Sequence, residues 1–219
     1  MAKIHVYFVP GLGADCRIFE NLKLPATQFE MHFINWIQPE QNESLVAYAQ
    51  RMSLFVTEPN CVLVGVSFGG IVVQEMAQFV QPKKILIISS VKSNQELPIL
   101  MQLARKTKFY TLFPSRLLGK IPVLARYFNG KNVLAKSMQL YKKYLTVHDP
   151  YYVNWSIKQI LHWNRSEAAS EVVHIHGELD SVFPIKNCTN TIAVKGGTHA
   201  MILTKYKWFN THLPQLLLE

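Results

Sequence analysis

Apolar positions along this chain fall into two alternating kinds of segment. Short, nearly continuous runs rich in Val and Ile occupy Ile4–Val9, Met31–Ile34, Cys61–Val66, Lys84–Ser89, Val172–His176 and Thr189–Val194. Strands buried on both faces need side chains that are apolar at successive positions, as these are. Between the runs the period changes. From Ser44 to Phe55, the residues Leu45, Tyr48, Ala49, Met52 and Phe55 recur at helical spacing; from Phe68 to Phe79, Ile71, Val72, Met76 and Phe79 do the same. Strands alternating with helices predict an α/β architecture, a mostly parallel six-stranded sheet with right-handed crossovers and flanking helices. The stretch from about Ala200 to Leu218 predicts a helix covering one sheet face, with Ile202, Trp208, Phe209 and Leu216 among its buried residues.

The alternation stops after Ser90. From Leu97 to Trp163 there is no convincing strand. Helix-like pieces are separated by Pro98, Pro114, Gly119 to Pro122, Asn129-Gly130 and Asp149-Pro150. The last piece, from Asp149, predicts an amphipathic helix returning to the sheet, its aromatics mainly structural. The division that follows is an α/β core formed by 1–90 and 164–219, interrupted by a helical cap insertion at 91–163. In an open α/β sheet the working site lies beyond the carboxyl ends of the strands. An insertion leaving the end of the fourth strand is placed to cover it.

Composition narrows the class. A chain of 219 residues can bury one large core, and 49% hydrophobic residues exclude a disordered or fibrous protein. No apolar run approaches the ~20 residues of a membrane-spanning helix. The run Ile4–Val9 reads as a strand, without the cleavage-site pattern of a secretory leader. Cys16, Cys61 and Cys188 are odd in number, widely spaced and without metal-ligand spacing, which points to a reducing compartment and a cytoplasmic location. The formal charge of +9 is unevenly spread. Between Val91 and Leu145 there are eleven Lys or Arg residues and one acid, Glu96. That field could draw in an anionic substrate, although solvated faces of amphipathic helices look the same. No nucleic-acid reader motif organises these residues.

The chemistry concentrates at four places. Gly65-Val66-Ser67-Phe68-Gly69 has the G-x-S-x-G pattern and closes a predicted strand just where a helix opens. A serine on such a turn is exposed in a strained backbone, with helix N–H groups aimed at the site where negative charge develops. Serine needs a base, and His199 in Gly196-Gly197-Thr198-His199 follows the last predicted strand. His174 and His176 alternate on the preceding strand and read as structural residues at a sheet edge. A base needs an orienting acid. Asp180, just past the fifth strand, emerges at the same rim, with Glu178 and Glu96 as rivals. The loop Val9-Pro10-Gly11-Leu12-Gly13 can curl its backbone toward a substrate oxygen, so the N–H groups of Leu12 and Phe68 are the candidate oxyanion donors. This loop lacks the third glycine of a dinucleotide fingerprint and any Walker lysine.

Together, Pro10-Gly11-Leu12-Gly13, the Gly65–Gly70 turn, His176-Gly177-Glu178-Leu179-Asp180 followed by Pro184, and Gly196–Met201 resemble the α/β-hydrolase superfamily over nearly the whole chain. The resemblance implies Ser67 as nucleophile, His199 as base and then acid, Asp180 as its orienter, and no metal or cofactor. Many relatives carry His-Gly where this chain has Pro10-Gly11, so the loop is expected to be anchored differently. The expected activity is hydrolysis of a small-molecule carboxylic ester or thioester through an acyl-enzyme, with an anionic substrate suited to the basic segment. The same three residues could serve a lyase or acyltransferase, and a silent binding protein could use the basic cap instead. Leu100, Met101, Leu103, Phe109, Tyr110, Leu112, Phe113, Tyr127 and Phe128 are available to line an acyl pocket or to pack the cap.

Overall fold

A computed structural model describes residues 2–107, 143–167 and 171–219. Six strands form one sheet: β1 Ile4–Val9, β2 Phe29–Phe33, β3 Val62–Val66, β4 Lys84–Ile88, β5 Val172–Gly177 and β6 Ile192–Val194. Their order is β2-β1-β3-β4-β5-β6, and every neighbouring pair is parallel. The chain therefore reverses its direction of travel across the sheet once, between β2 and β3, leaving a switch point beside β1 and β3. The strands sit where the apolar runs predict, with ends shifted. The last shrinks to three residues, because Thr189 is engaged by Glu96 rather than by the ladder.

The central strands bury both faces, which explains why their sequences do not alternate. Tyr7, Val9, Leu63 and Ile87 point to a core shared with α1 (Leu45–Ser53), α2 (Phe68–Val80) and Trp155. Val6, Phe8, Val62, Val64, Leu86 and Ile88 point to the other core, closed by Phe209 and Leu213. Local signals set the helix ends. Ser44 caps α1 by accepting from the Ala47 N–H.

Between β4 and β5 the described residues include two helices, α3 (Ile99–Thr107) and α4 (Pro150–His162). Asp149 caps α4 with Pro150 in its first turn, and Tyr152 and Trp155 are buried as expected of structural aromatics. Pro114, Gly119 to Pro122 and Asn129-Gly130 lie outside the described residues, as do Phe109, Tyr110, Leu112, Phe113, Tyr127 and Phe128. So does most of the basic stretch. The C-terminal stretch is two helices, α5 (Met201–Thr204) and α6 (Tyr206–Leu218), broken at Lys205. Ile202 and Phe209 are buried; Trp208 and Leu216 are half-buried, and Leu213 and Leu217 take the inner positions. Among the described residues no helix is long and apolar enough to cross a membrane.

Candidate active site

Ser67 sits between β3 and α2 with φ +53° and ψ −119°. A non-glycine residue there carries strain that its surroundings must enforce. Three contacts do so. The Ser67 N–H donates to the Ile88 carbonyl at 2.9 Å, the Gly70 N–H to the Ser67 carbonyl at 2.9 Å, and the Ser90 hydroxyl to that same carbonyl at 2.7 Å. The turn is so tight that a Cβ on Gly69 would stand 2.3 Å from the Pro10 carbonyl oxygen. A serine at a helix N-cap ordinarily turns its hydroxyl back onto the helix. Ser67 makes no such cap; its hydroxyl is directed at His199.

The line continues across three elements. Ser67 Oγ lies 2.9 Å from His199 Nε2, and His199 Nδ1 lies 2.9 Å from Asp180 Oδ2. An ionised carboxylate can only accept, so Nδ1 carries the ring proton and Nε2 is left to accept the serine O–H. The Asp180 side chain is fully buried and that of His199 is 18% exposed. Oδ1 of Asp180 accepts the Val182 and Phe183 N–H groups, each at 2.9 Å. Burial opposes the Asp180 charge. The pull of the His199 ring and its hydrogen bond, the Phe183 N–H and His176 outweigh burial and hold the carboxyl below its usual range. The rival acids are elsewhere. Glu178 is exposed and accepts the Gly196 N–H; Glu96 is buried on Lys92 and Thr189.

The loop after β1 comes close to the serine: a Cβ on Gly11 would lie 3.4 Å from that of Ser67. Among the described residues, the N–H groups of Leu12 and Phe68 have no acceptor. With Pro10 in place of histidine, the loop is anchored by Trp36, whose indole N–H donates to the Gly11 carbonyl at 3.1 Å and whose ring stacks on Phe68 at 5.3 Å. Trp36 and Ser90 both support the site, and neither belongs to a motif. Their only sequence signal is position, just beyond the carboxyl ends of β2 and β4.

Ser67 and His199 open on a cavity of about 670 Å³. Its walls are mostly apolar and include Leu12, Ile18, Leu145, Ile157, Leu161 and Val182. Of the described cap residues named above, Met101 lines it, whereas Leu100 and Leu103 are largely exposed.

His174 and His176 are not at a sheet edge. They stand on β5 between β4 and β6, and both are buried. His174 Nε2 and His176 Nδ1 are 2.8 Å apart, and His176 Nε2 donates to the Phe183 carbonyl at 2.7 Å. Nε2 is also 3.5 Å from Asp180 Oδ2. Burial, then His176 and Lys92, push His174 down to about 3; burial also lowers His176. Below pH ~6.5 the unfolded chain therefore takes up a proton that folded His174 refuses until about 3, so stability falls with pH across that window. Urea unfolding of wild type and His174→Gln from pH 7.5 to 4 should show a shallower acid limb in the variant. Equal slopes would remove His174 as the cause.

No family model and no curated protein sequence matches this chain. Solved structures match it nearly end to end. A thermophilic esterase from Thermogutta terrifontis superposes with a TM-score of 0.71 at 11% identity, over 99% of this chain and 90% of that one. A bromoperoxidase from Bacillus anthracis gives 0.69 at 16% identity, over 100% and 93%. An esterase from Exiguobacterium antarcticum gives 0.63 at 15%, over 100% and 93%. At such identities the likeness concerns the backbone, and the parallel six-stranded sheet carries it: this chain has the α/β-hydrolase fold.

Proposed function

We propose that this protein is a serine hydrolase that cleaves a carboxylic ester or thioester. The observation that carries this reading is the unbroken hydrogen-bonded line from Asp180 through His199 to Ser67, ending in an apolar cavity. In the proposed cycle Ser67 Oγ attacks the carbonyl carbon while His199 Nε2 takes the hydroxyl proton. The carbonyl oxygen becomes an oxyanion, held by the N–H groups of Leu12 and Phe68. Asp180 keeps the ring in the required tautomer and stabilises its cationic form. His199 then gives its proton to the departing alcohol or thiol, leaving Ser67 acylated. A water molecule, deprotonated by His199, attacks the acyl carbon; Ser67 recovers its proton and the carboxylic acid leaves. The chain's own groups suffice for these steps, and the described part of the proposed cap, 91–163, contributes Met101, Ile157 and Leu161 to the cavity wall. The excess of Lys and Arg in that segment favours anionic substrates, an attraction that salt would weaken.

The test is pre-steady-state hydrolysis of nitrophenyl esters of graded acyl length. The expected result is a burst of about one nitrophenolate per chain, with the acyl mass found on the Ser67 peptide. Absence of turnover at every chain length, together with no labelling by a fluorophosphonate, would defeat the proposal.

A further inference from the structure

A second group of donor atoms stands at the opposite end of β1. His5 precedes Pro10 by five residues, roughly 17 Å along an extended strand, so this group is separate from the cavity. The ladder pairs His5 with Glu30 and Tyr7 with His32. Paired and alternate residues of a sheet share a face, so all four side chains emerge together, on an edge strand and its neighbour. His5 Nδ1 and His32 Nε2 are 3.0 Å apart. One donor atom from each of His5, Glu30 and His32 lies within 4.8 Å of the others. Glu58 Oε2 lies 4.0 Å from the far nitrogen of His5, Nε2. The Tyr7 ring stacks on His32 at 4.4 Å and limits its movement. Both imidazoles are half-buried, and Glu30 is exposed.

We propose that His5, His32 and Glu30 bind a divalent transition ion of the zinc class, with Glu58 supporting His5 from behind. Two imidazoles and a carboxylate suit Zn²⁺, Cu²⁺ and Ni²⁺ rather than Mg²⁺ or Ca²⁺. With Zn–N bonds of ~2.0–2.1 Å, two nitrogens on a tetrahedral ion are roughly 3.3 Å apart. The present separation is a few tenths of an ångström shorter, so little movement is needed. The proton now shared between Nδ1 of His5 and Nε2 of His32 must vacate both atoms. On His5 the ring N–H moves to Nε2, which faces the Glu58 carboxylate, the usual partner behind a metal-bound histidine. On His32 it resides on Nδ1. Both rings stay neutral, and no proton is lost. Exposed Glu30 supplies the third ligand and leaves a path for the ion, and water fills the remaining position. Bound there, the ion ties edge strand β2 to β1.

Among the described residues the other cluster of donors, His174, His176 and Cys188, is a poorer host. Its two imidazoles are fully buried, His174 Nε2 and His176 Nδ1 face each other at 2.8 Å and His176 Nε2 is held by the Phe183 carbonyl, so an ion would have to displace these buried hydrogen bonds.

The experiment uses untagged full-length protein, dialysed against EDTA and then freed of it, titrated with Zn²⁺ in competition with a chromophoric chelator. One ion per chain should bind. Affinity should fall at least about tenfold in Glu30→Gln and be lost in His32→Gln. Cu²⁺ in the same protein should give a paramagnetic resonance spectrum split by two nitrogens, and that splitting should disappear in His32→Gln. Zn²⁺ should raise the Tm of wild type but not of His32→Gln. Ester turnover should be indifferent to the ion, so this result is independent of the hydrolase reading. Absence of saturable binding would overturn the site. So would binding undiminished in both variants, including binding lost only in Cys188→Ser, which would place the ion in the buried cluster.

Discussion

Ser67→Ala should lower ester turnover by about 10⁴-fold or more while leaving the fold intact. The hydroxyl oxygen is the atom that bonds to substrate in the proposed cycle, and among the described residues no other side chain meets His199 Nε2. What remains in the variant is the cavity and the N–H pair of Leu12 and Phe68, which can still bind an ester and polarise its carbonyl. Residual rates from such groups are small compared with the loss of the nucleophile. Folding should be spared because the strained turn is enforced by backbone bonds and by Ser90, which grip the Ser67 carbonyl and N–H rather than its hydroxyl. The measurement is kcat/KM for a nitrophenyl ester together with fluorophosphonate labelling and the circular dichroism of both proteins. A folded variant retaining a tenth of the wild-type rate would show that the reaction does not pass through Ser67.

Gly65→Ala should be among the most destabilising single changes available, at roughly 3–5 kcal/mol or more. A Cβ at position 65 would stand 2.3 Å from the Gly69 carbonyl oxygen, 2.4 Å from its carbon and 2.6 Å from the Gly70 Cα. These are backbone atoms of the first turn of α2, so no rotamer change relieves the overlap. Relief requires α2 to move off β3, and α2 carries Ile71, Val72, Val73 and Met76, all fully buried against the sheet. The turn that presents Ser67 would be lost with it. Urea unfolding should show a markedly lower midpoint, and activity should fall even where the variant is folded. A wild-type midpoint would mean that the elbow is looser than its geometry implies.

Several features were legible from residue order. The two periodicities placed strands and helices to within a few residues, since a doubly buried strand and an amphipathic helix leave different patterns. The glycines at 65 and 69 marked close backbone approach. The position of Asp180 and His199 after successive strands put both at one rim. Less was legible where a residue's role depends on what the fold brings to it. His174 and His176 looked like edge histidines because sequence shows the strand but not its neighbours; β6 pairs outside β5 and closes them in. Trp36 and Ser90 belong to no motif, yet they clamp the Gly11 loop and the Ser67 carbonyl. The break at Lys205 was hidden because both halves of the C-terminal stretch favour helix.

Residue order by itself determined the alternation of elements, the parallel sheet it implies and the identities of the three side chains that could form a nucleophilic site. These are consequences of local periodicity and of turn chemistry, which neighbouring residues dictate. Only the tertiary structure decided the distances: that residues 67, 180 and 199 lie within hydrogen-bond reach, that Glu178 and Glu96 are occupied elsewhere, and that His5 and His32 meet across a ladder. Strand order and register set those separations, and both emerge from the collective burial of two cores rather than from any one segment.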